Sequence, residues 1–206
     1  MKHKWLMMAV LLLAFIGAKA QTYDYRGGAF SLGVRTTGNV FLDDGMRGLG
    51  AGGLFKIGVS KRVNTEWFFD YITSRGEGTA FRKDYHIGWS VQFAFPKDGF
   101  NSQRFTPYIL GGQCFDLTKV GHYDWISSPL VFSGAAQIGL GLSAFVGRRM
   151  ELNLQAQYMA HLGKDVHIDE DPFSPTGYHI HKGFDFKGHI LTNFSMNFYL
   201  FHLWKS

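Results

Sequence analysis

The sequence is poor in cysteine, proline and charge, and each shortage removes a class of protein. Cys114 is the only cysteine among 206 residues. It has no partner for an internal disulfide, which excludes a disulfide-stapled secreted domain and a cysteine-based zinc framework. Only 5 residues are proline and only 18% are charged. A disordered chain would be rich in both and depleted in aromatics. Beyond residue 20 no apolar run approaches the ~18 residues of a membrane-spanning helix, and mean hydropathy is −0.07. The chain is instead rich in rings and glycine, with 17% aromatics and 26 glycines.

Lysine and arginine outnumber the acidic residues 21 to 16, for a formal charge of +5 and a pI of about 9.3. Such a balance would fit a nucleic-acid partner. The first 20 residues remove that reading. They open with Lys2 and Lys4, continue through an apolar stretch from Trp5 to Ala18, and close on Ala18-Lys19-Ala20 before Gln21. This is the pattern of a secretory signal peptide, with a stretch too short for the ~20 residues of a spanning helix. Cleavage at that point removes three lysines and leaves residues 21–206 at +2. A charge that small is no footprint for nucleic acid.

The dominant period of residues 21–206 is 2. From Tyr85 to Phe95, Tyr85, Ile87, Trp89, Val91, Phe93 and Phe95 alternate with His86, Gly88, Ser90, Gln92 and Ala94. The same alternation runs from Ala136 to Val146, where Phe145 is the exception, from Glu151 to His161, and from His189 to Trp204. Shorter stretches follow it at Phe30–Arg35, Phe55–Ser60 and Glu66–Ile72, the last with Phe68 and Ile72 on its polar side. An eighth, Phe105 to Leu117, has an ambiguous phase because Gly111-Gly112 could form a bulge. Eight strands of this length suit a tilted membrane crossing of ~9–11 residues.

The connections alternate as well. Longer ones are expected at Thr36–Gly50, Ser74–Asp84, Thr118–Phe132 and Leu162–Lys187, and shorter ones at Lys61–Asn64, Pro96–Arg104 and Gly147–Met150. Strict alternation beginning with a long connection is the layout of an up-and-down transmembrane barrel, with long external loops and short periplasmic turns. Both termini would then be periplasmic. A soluble β-barrel would place Lys and Glu on its outer face, yet 85–95, 136–146 and 190–200 contain no Lys, Arg, Asp or Glu. Aromatics near strand ends, Trp67, Tyr71, Tyr85, Phe95, Phe105, Tyr108 and Trp204, fit the two interfacial girdles of such a barrel.

With the signal segment, the TPYILGG stretch at Thr106–Gly112, the glycine-rich alternating strands and the aromatic final strand NFSMNFYLFHLW at Asn193–Trp204, the chain resembles the small OmpA/OmpX-type outer-membrane barrels. The resemblance covers residues 21–206 and is one of pattern. It implies an all-β, eight-stranded antiparallel barrel with a filled lumen in the cell outer membrane. It also implies that Phe194, Phe198 and Trp204 face outward in the last strand, as in the C-terminal signal read by barrel-assembly machinery. Lys205 and Ser206 follow that strand, where the family pattern ends on an aromatic.

An eight-stranded lumen is just wide enough for side chains to fill it. Arg35, Lys56, Glu66, Asp70, Glu151, Gln155, Gln157, Asn193 and Asn197 are the expected inward residues, with both charges present to pair. Gly48, Gly50 and Gly53 match G-x-G-x-x-G, but a nucleotide fingerprint requires a following helix, and a strand is expected there. The most unusual segment is Leu162–Lys187. With its flanking residues it holds five of the eight histidines found after residue 20. His179, His181 and His167 could offer imidazoles to a divalent metal, and Asp169, Glu170 and Asp171 carboxylates to a partner. A connection of this length usually has a function. For acyl transfer, Ser133 or Ser174 could approach His161 or His179, but nothing in the sequence fixes such an arrangement and no nucleophile motif surrounds either serine. The sequence therefore implies a non-enzymatic barrel without a resident cofactor. Its expected partners are outer-membrane lipid and, at the last loop, another outer-membrane or extracellular protein. A lipid-modifying enzyme and an accessory subunit of an outer-membrane complex are the alternatives.

Overall fold

The computed structural model describes residues 27–41, 46–75, 80–101, 105–122, 130–146, 148–162, 164–170, 178–184 and 188–204; for 80, 122, 164–170 and 178–184 only the backbone is considered. Residues 1–20, expected to be a signal segment, lie outside the described residues. Ten strands follow one another: β1 (Ala29–Phe41), β2 (Arg47–Gly58), β3 (Val63–Arg75), β4 (Ala80–Ala94), β5 (Thr106–His122), β6 (Val131–Phe145), β7 (Met150–Leu162), β8 (Lys164–Glu170), β9 (Tyr178–Phe184) and β10 (Gly188–His202). Eight of them close an antiparallel barrel in the order β1-β10-β7-β6-β5-β4-β3-β2, and β8 and β9 form a separate two-stranded ribbon. Each barrel strand pairs with its neighbours in sequence, and β10 returns to β1 from Ala29↔His202 to Phe41↔His189. Closure leaves no unpaired edge.

Alternation decides what each face meets. Leu32, Val34, Phe69, Ile87, Ile138, Leu140, Leu154, Phe194, Met196 and Phe198 are exposed on the outside, while Ser31, Arg35, Thr37, Asn64, Glu66, Asp70, Ser90, Gln92, Gln155 and Asn197 are buried in the lumen. An apolar exterior around a polar interior inverts the arrangement of a soluble domain and matches a barrel whose solvent is lipid.

Several boundaries differ from the sequence expectation. Barrel strands run from 12 to 17 residues, because pairing continues into stretches expected to be loops. Thr37 and Asn39 keep the inward phase of β1, and β2 begins at Arg47 rather than near Phe55. Glycine permits that extension. A Cβ at Gly52 would collide with the Phe69 carbonyl and the Asp70 carboxylate, so the lumen fits Asp70 only because β2 is bare opposite it. The glycine motif of β2 thus makes room for the plug. The ambiguous phase at Gly111-Gly112 resolves without a bulge, as both pairings of β5 run unbroken through it. Tyr108 leaves the expected girdle, because it points inward and is fully buried. The connection after β4 folds back under the barrel in a 3-10 turn at Gly99–Asn101, where Phe100 N donates to Lys61 O. Phe100, Tyr108, Phe145 and Tyr199 then form an apolar cap at the turn end of the lumen.

Candidate functional site

Among the described residues, two regions carry the polar chemistry: the lumen and the β8–β9 ribbon. In the lumen, all nine residues expected to face inward are buried. Arg35 on β1 contacts Glu66 at 3.2 Å and Asp70 at 3.1 Å. From β2, Lys56 reaches Glu151 on β7 at 3.4 Å and Glu66 on β3 at 3.6 Å. Glu66 also accepts from Gln92 at 2.9 Å and from Gln155 at 3.1 Å. Tyr199 donates to Glu151 at 2.9 Å, and Thr37 donates to Asp70 at 3.2 Å. Each charge is thereby met by opposite charge and by donors, the condition under which buried ions are tolerated.

Beyond this network lies an apolar layer of Leu54, Phe68, Ile72, Cys114, Ala135, Met159 and Leu191. The Arg35 guanidinium stacks over Phe68 at 4.3 Å. On the side of the layer marked by Cys114 lies a second polar cluster that sequence reasoning missed. Asp116 on β5 has His86 Nε2 of β4 3.5 Å from one oxygen and His161 Nδ1 of β7 3.1 Å from the other. The Cys114 thiol donates to Asp116 at 3.1 Å, and His161 Nε2 lies 3.0 Å from His189 Nδ1 of β10. Arg82, Asp84 and Thr118 form a neighbouring group, with Arg82 Nε 2.9 Å from Asp84. The alternation of β4 did mark His86 as inward. His161 and His189, however, are remote in sequence from Asp116, and only barrel closure brings the three imidazoles together.

The segment Leu162–Lys187, expected to be an irregular loop, contains the β8–β9 ribbon. His167 pairs with His181 and Asp169 with His179. Directly opposed residues in an antiparallel pair, and residues two apart on one strand, share a face. Four of the six loop residues singled out from the sequence, His167, Asp169, His179 and His181, therefore occupy one face of the ribbon. Glu170 opposes Tyr178 and falls on the other face, with Ile168 and Ile180. Asp171 and Ser174 lie outside the described residues. The other serine weighed for acyl transfer, Ser133, is buried, and its hydroxyl makes no hydrogen bond among the described residues.

Three solved structures share this architecture. Neisserial surface protein A matches with a TM-score of 0.59 at 11% identity, covering 84% of this chain and 97% of that one. OprG from Pseudomonas aeruginosa gives 0.52 at 16% identity, covering 85% and 98%. The N-terminal barrel domain of OprF from the same organism gives 0.51 at 12%, covering 82% and 97%. The fold is that of a small outer-membrane β-barrel of the OmpA/OmpX type. At these identities the likeness is one of fold. No protein-family model matches the chain, and no curated protein sequence does.

Proposed function

We propose that the protein is a non-enzymatic barrel of the bacterial outer membrane, exported by the segment 1–20, with both termini periplasmic. Its role is to hold the β8–β9 ribbon outside the cell as a contact element. The observation that carries this reading is the cross-lumen network centred on Glu66, which joins β1, β2, β3, β4 and β7 through buried ion pairs and hydrogen bonds. A lumen filled in this way is a scaffold and not a channel. Contact chemistry is then left to the loop end, where the register places His167, Asp169, His179 and His181 on one face of the ribbon. That face suits a protein partner, and a divalent cation shared between ribbon and partner would use the same imidazoles.

Epitope insertion tests the placement. A tag between β8 and β9 is expected to be labelled on intact cells, and a tag in the Pro96–Arg104 connection only after the outer membrane is opened. Labelling in the opposite order would overturn the orientation and with it the contact role. Replacing His167, Asp169, His179 and His181 by alanine is expected to abolish capture of a partner from gently solubilised membranes while barrel assembly persists.

A second reading, that the barrel is a subunit beside another membrane protein, is favoured by Gln113. This amide is exposed on the outer face of β5, among Trp89, Val91, Phe115 and Ala136. A polar group facing hydrocarbon is costly unless something satisfies it.

A further inference from the structure

We propose that His86, Cys114, Asp116 and His161 form a binding site for a divalent transition metal of zinc or cobalt type inside the lumen, with His189 as its outer support. The site is independent of the ribbon and lies on different strands.

One ligand atom from each of His86, Cys114 and Asp116 lies within 4.8 Å of the others. His161 Nδ1 is 3.1 Å from the second oxygen of Asp116. Metal bonds of ~2.0–2.3 Å in a tetrahedron place donors about 3.3–3.8 Å apart. Cys114 Sγ and His86 Nε2 lie 3.1 and 3.5 Å from one oxygen of Asp116, and His161 Nδ1 lies 3.1 Å from the other, separations already close to that spacing. Two imidazoles, a carboxylate and one thiolate make a borderline donor set, which favours zinc or cobalt over calcium or magnesium. The single cysteine cannot build a multi-cysteine framework, but it supplies one donor to a mixed set.

Among the described buried residues, five carboxylates, Glu66, Asp70, Asp84, Asp116 and Glu151, face three cations, Arg35, Lys56 and Arg82. No lysine or arginine among the described residues pairs with Asp116, whose partners are His86, His161 and Cys114. A divalent cation would supply the missing positive charge. The Asp116 Oδ2 that faces His161 is buried and accepts no hydrogen bond, a costly condition that a bound cation would relieve. The support is also in place: with Nδ1 on the metal, His161 directs Nε2–H at His189 Nδ1, 3.0 Å away. Ligating histidines are held by such a contact from their distal nitrogen. Binding would release the Cys114 thiol proton. It would also clamp β4, β5 and β7 together, and β10 through His189.

The test is refolding of the full chain in detergent with Co2+ alone, removal of free metal by chelator, and metal analysis with absorption spectroscopy. The expected result is one retained Co2+ per barrel, with a thiolate-to-cobalt charge-transfer band in the near ultraviolet. The barrel should also convert to its unfolded gel form at a higher temperature than the metal-free protein. Cys114→Ser should lose the band, Asp116→Asn should lose retention, and the pair His179→Ala with His181→Ala should keep both. No retained cobalt in the folded wild type would overturn the site. So would retention without the band, or retention lost on removing His179 and His181 and kept in Asp116→Asn. Because Cys114→Ser is nearly isosteric, the band remains a decisive readout if Asp116→Asn fails to fold.

Discussion

Gln155 and Glu66 meet across the full width of the barrel. They stand on β7 and β3, four strands apart in either direction around the closed sheet, yet Gln155 Nε2 lies 3.1 Å from Glu66 Oε2. Side chains that touch from opposite walls leave no continuous water path at that level. The apolar cap of Phe100, Tyr108, Phe145 and Tyr199 closes the turn end as well. In planar bilayers the purified protein is therefore expected to give no discrete conductance steps. A reproducible unitary conductance would contradict the filled lumen.

Removing Glu66 should be severe. Its carboxylate faces Arg35 and Lys56, both buried, and deleting one partner of a buried pair typically costs about 3–5 kcal/mol. Glu66→Ala is expected to lower the midpoint of urea unfolding in detergent, whereas Lys56→Met paired with Glu151→Gln should cost less than the sum of the two single changes. A double-mutant cycle measures the difference, since residues that share one network do not add.

Depth in the membrane predicts a contrast on the outer face. Leu140 is exposed near the middle of β6, and Leu49 lies two residues from Arg47 at the loop end of β2, in register with Thr73 and close to Lys83. Arginine on the lipid face costs about 2–4 kcal/mol at the midplane and roughly 0–1 near an interface. Leu140→Arg should therefore impair assembly in vesicles, while Leu49→Arg should assemble almost as the wild type does. Equal tolerance of both would argue that this face does not meet lipid.

The fold was legible because alternation carries it. The outward rows of β4, β6, β7 and β10, and the inward Arg35, Lys56, Glu66, Asp70 and Glu151, follow from a period of 2 and from the direction of polarity. Strand ends were not legible where inward residues are glycine. At Gly48, Gly50 and Gly52 the missing side chain is the structural feature, and it is defined only by Asn39, Ser74, Ile72 and Asp70 from adjacent strands. Tyr108 and Phe145 looked like girdle and exception until the cap gave them neighbours. The ribbon was hidden by its charge, since His167, Asp169, His179 and His181 read as a polar loop until pairing placed them on one face. The lumen cluster was hidden by sequence distance. His86, Asp116, His161 and His189 come from four strands and meet only when β10 closes onto β1.

Closure in the outer membrane is the central claim, and electrophoretic mobility reads it most directly. Outer-membrane fractions run on a denaturing gel without boiling should show the chain at a mobility different from that of the boiled sample, because a hydrogen-bonded barrel resists detergent until heated. Identical mobility before and after boiling, together with recovery of the protein in the soluble fraction, would contradict it.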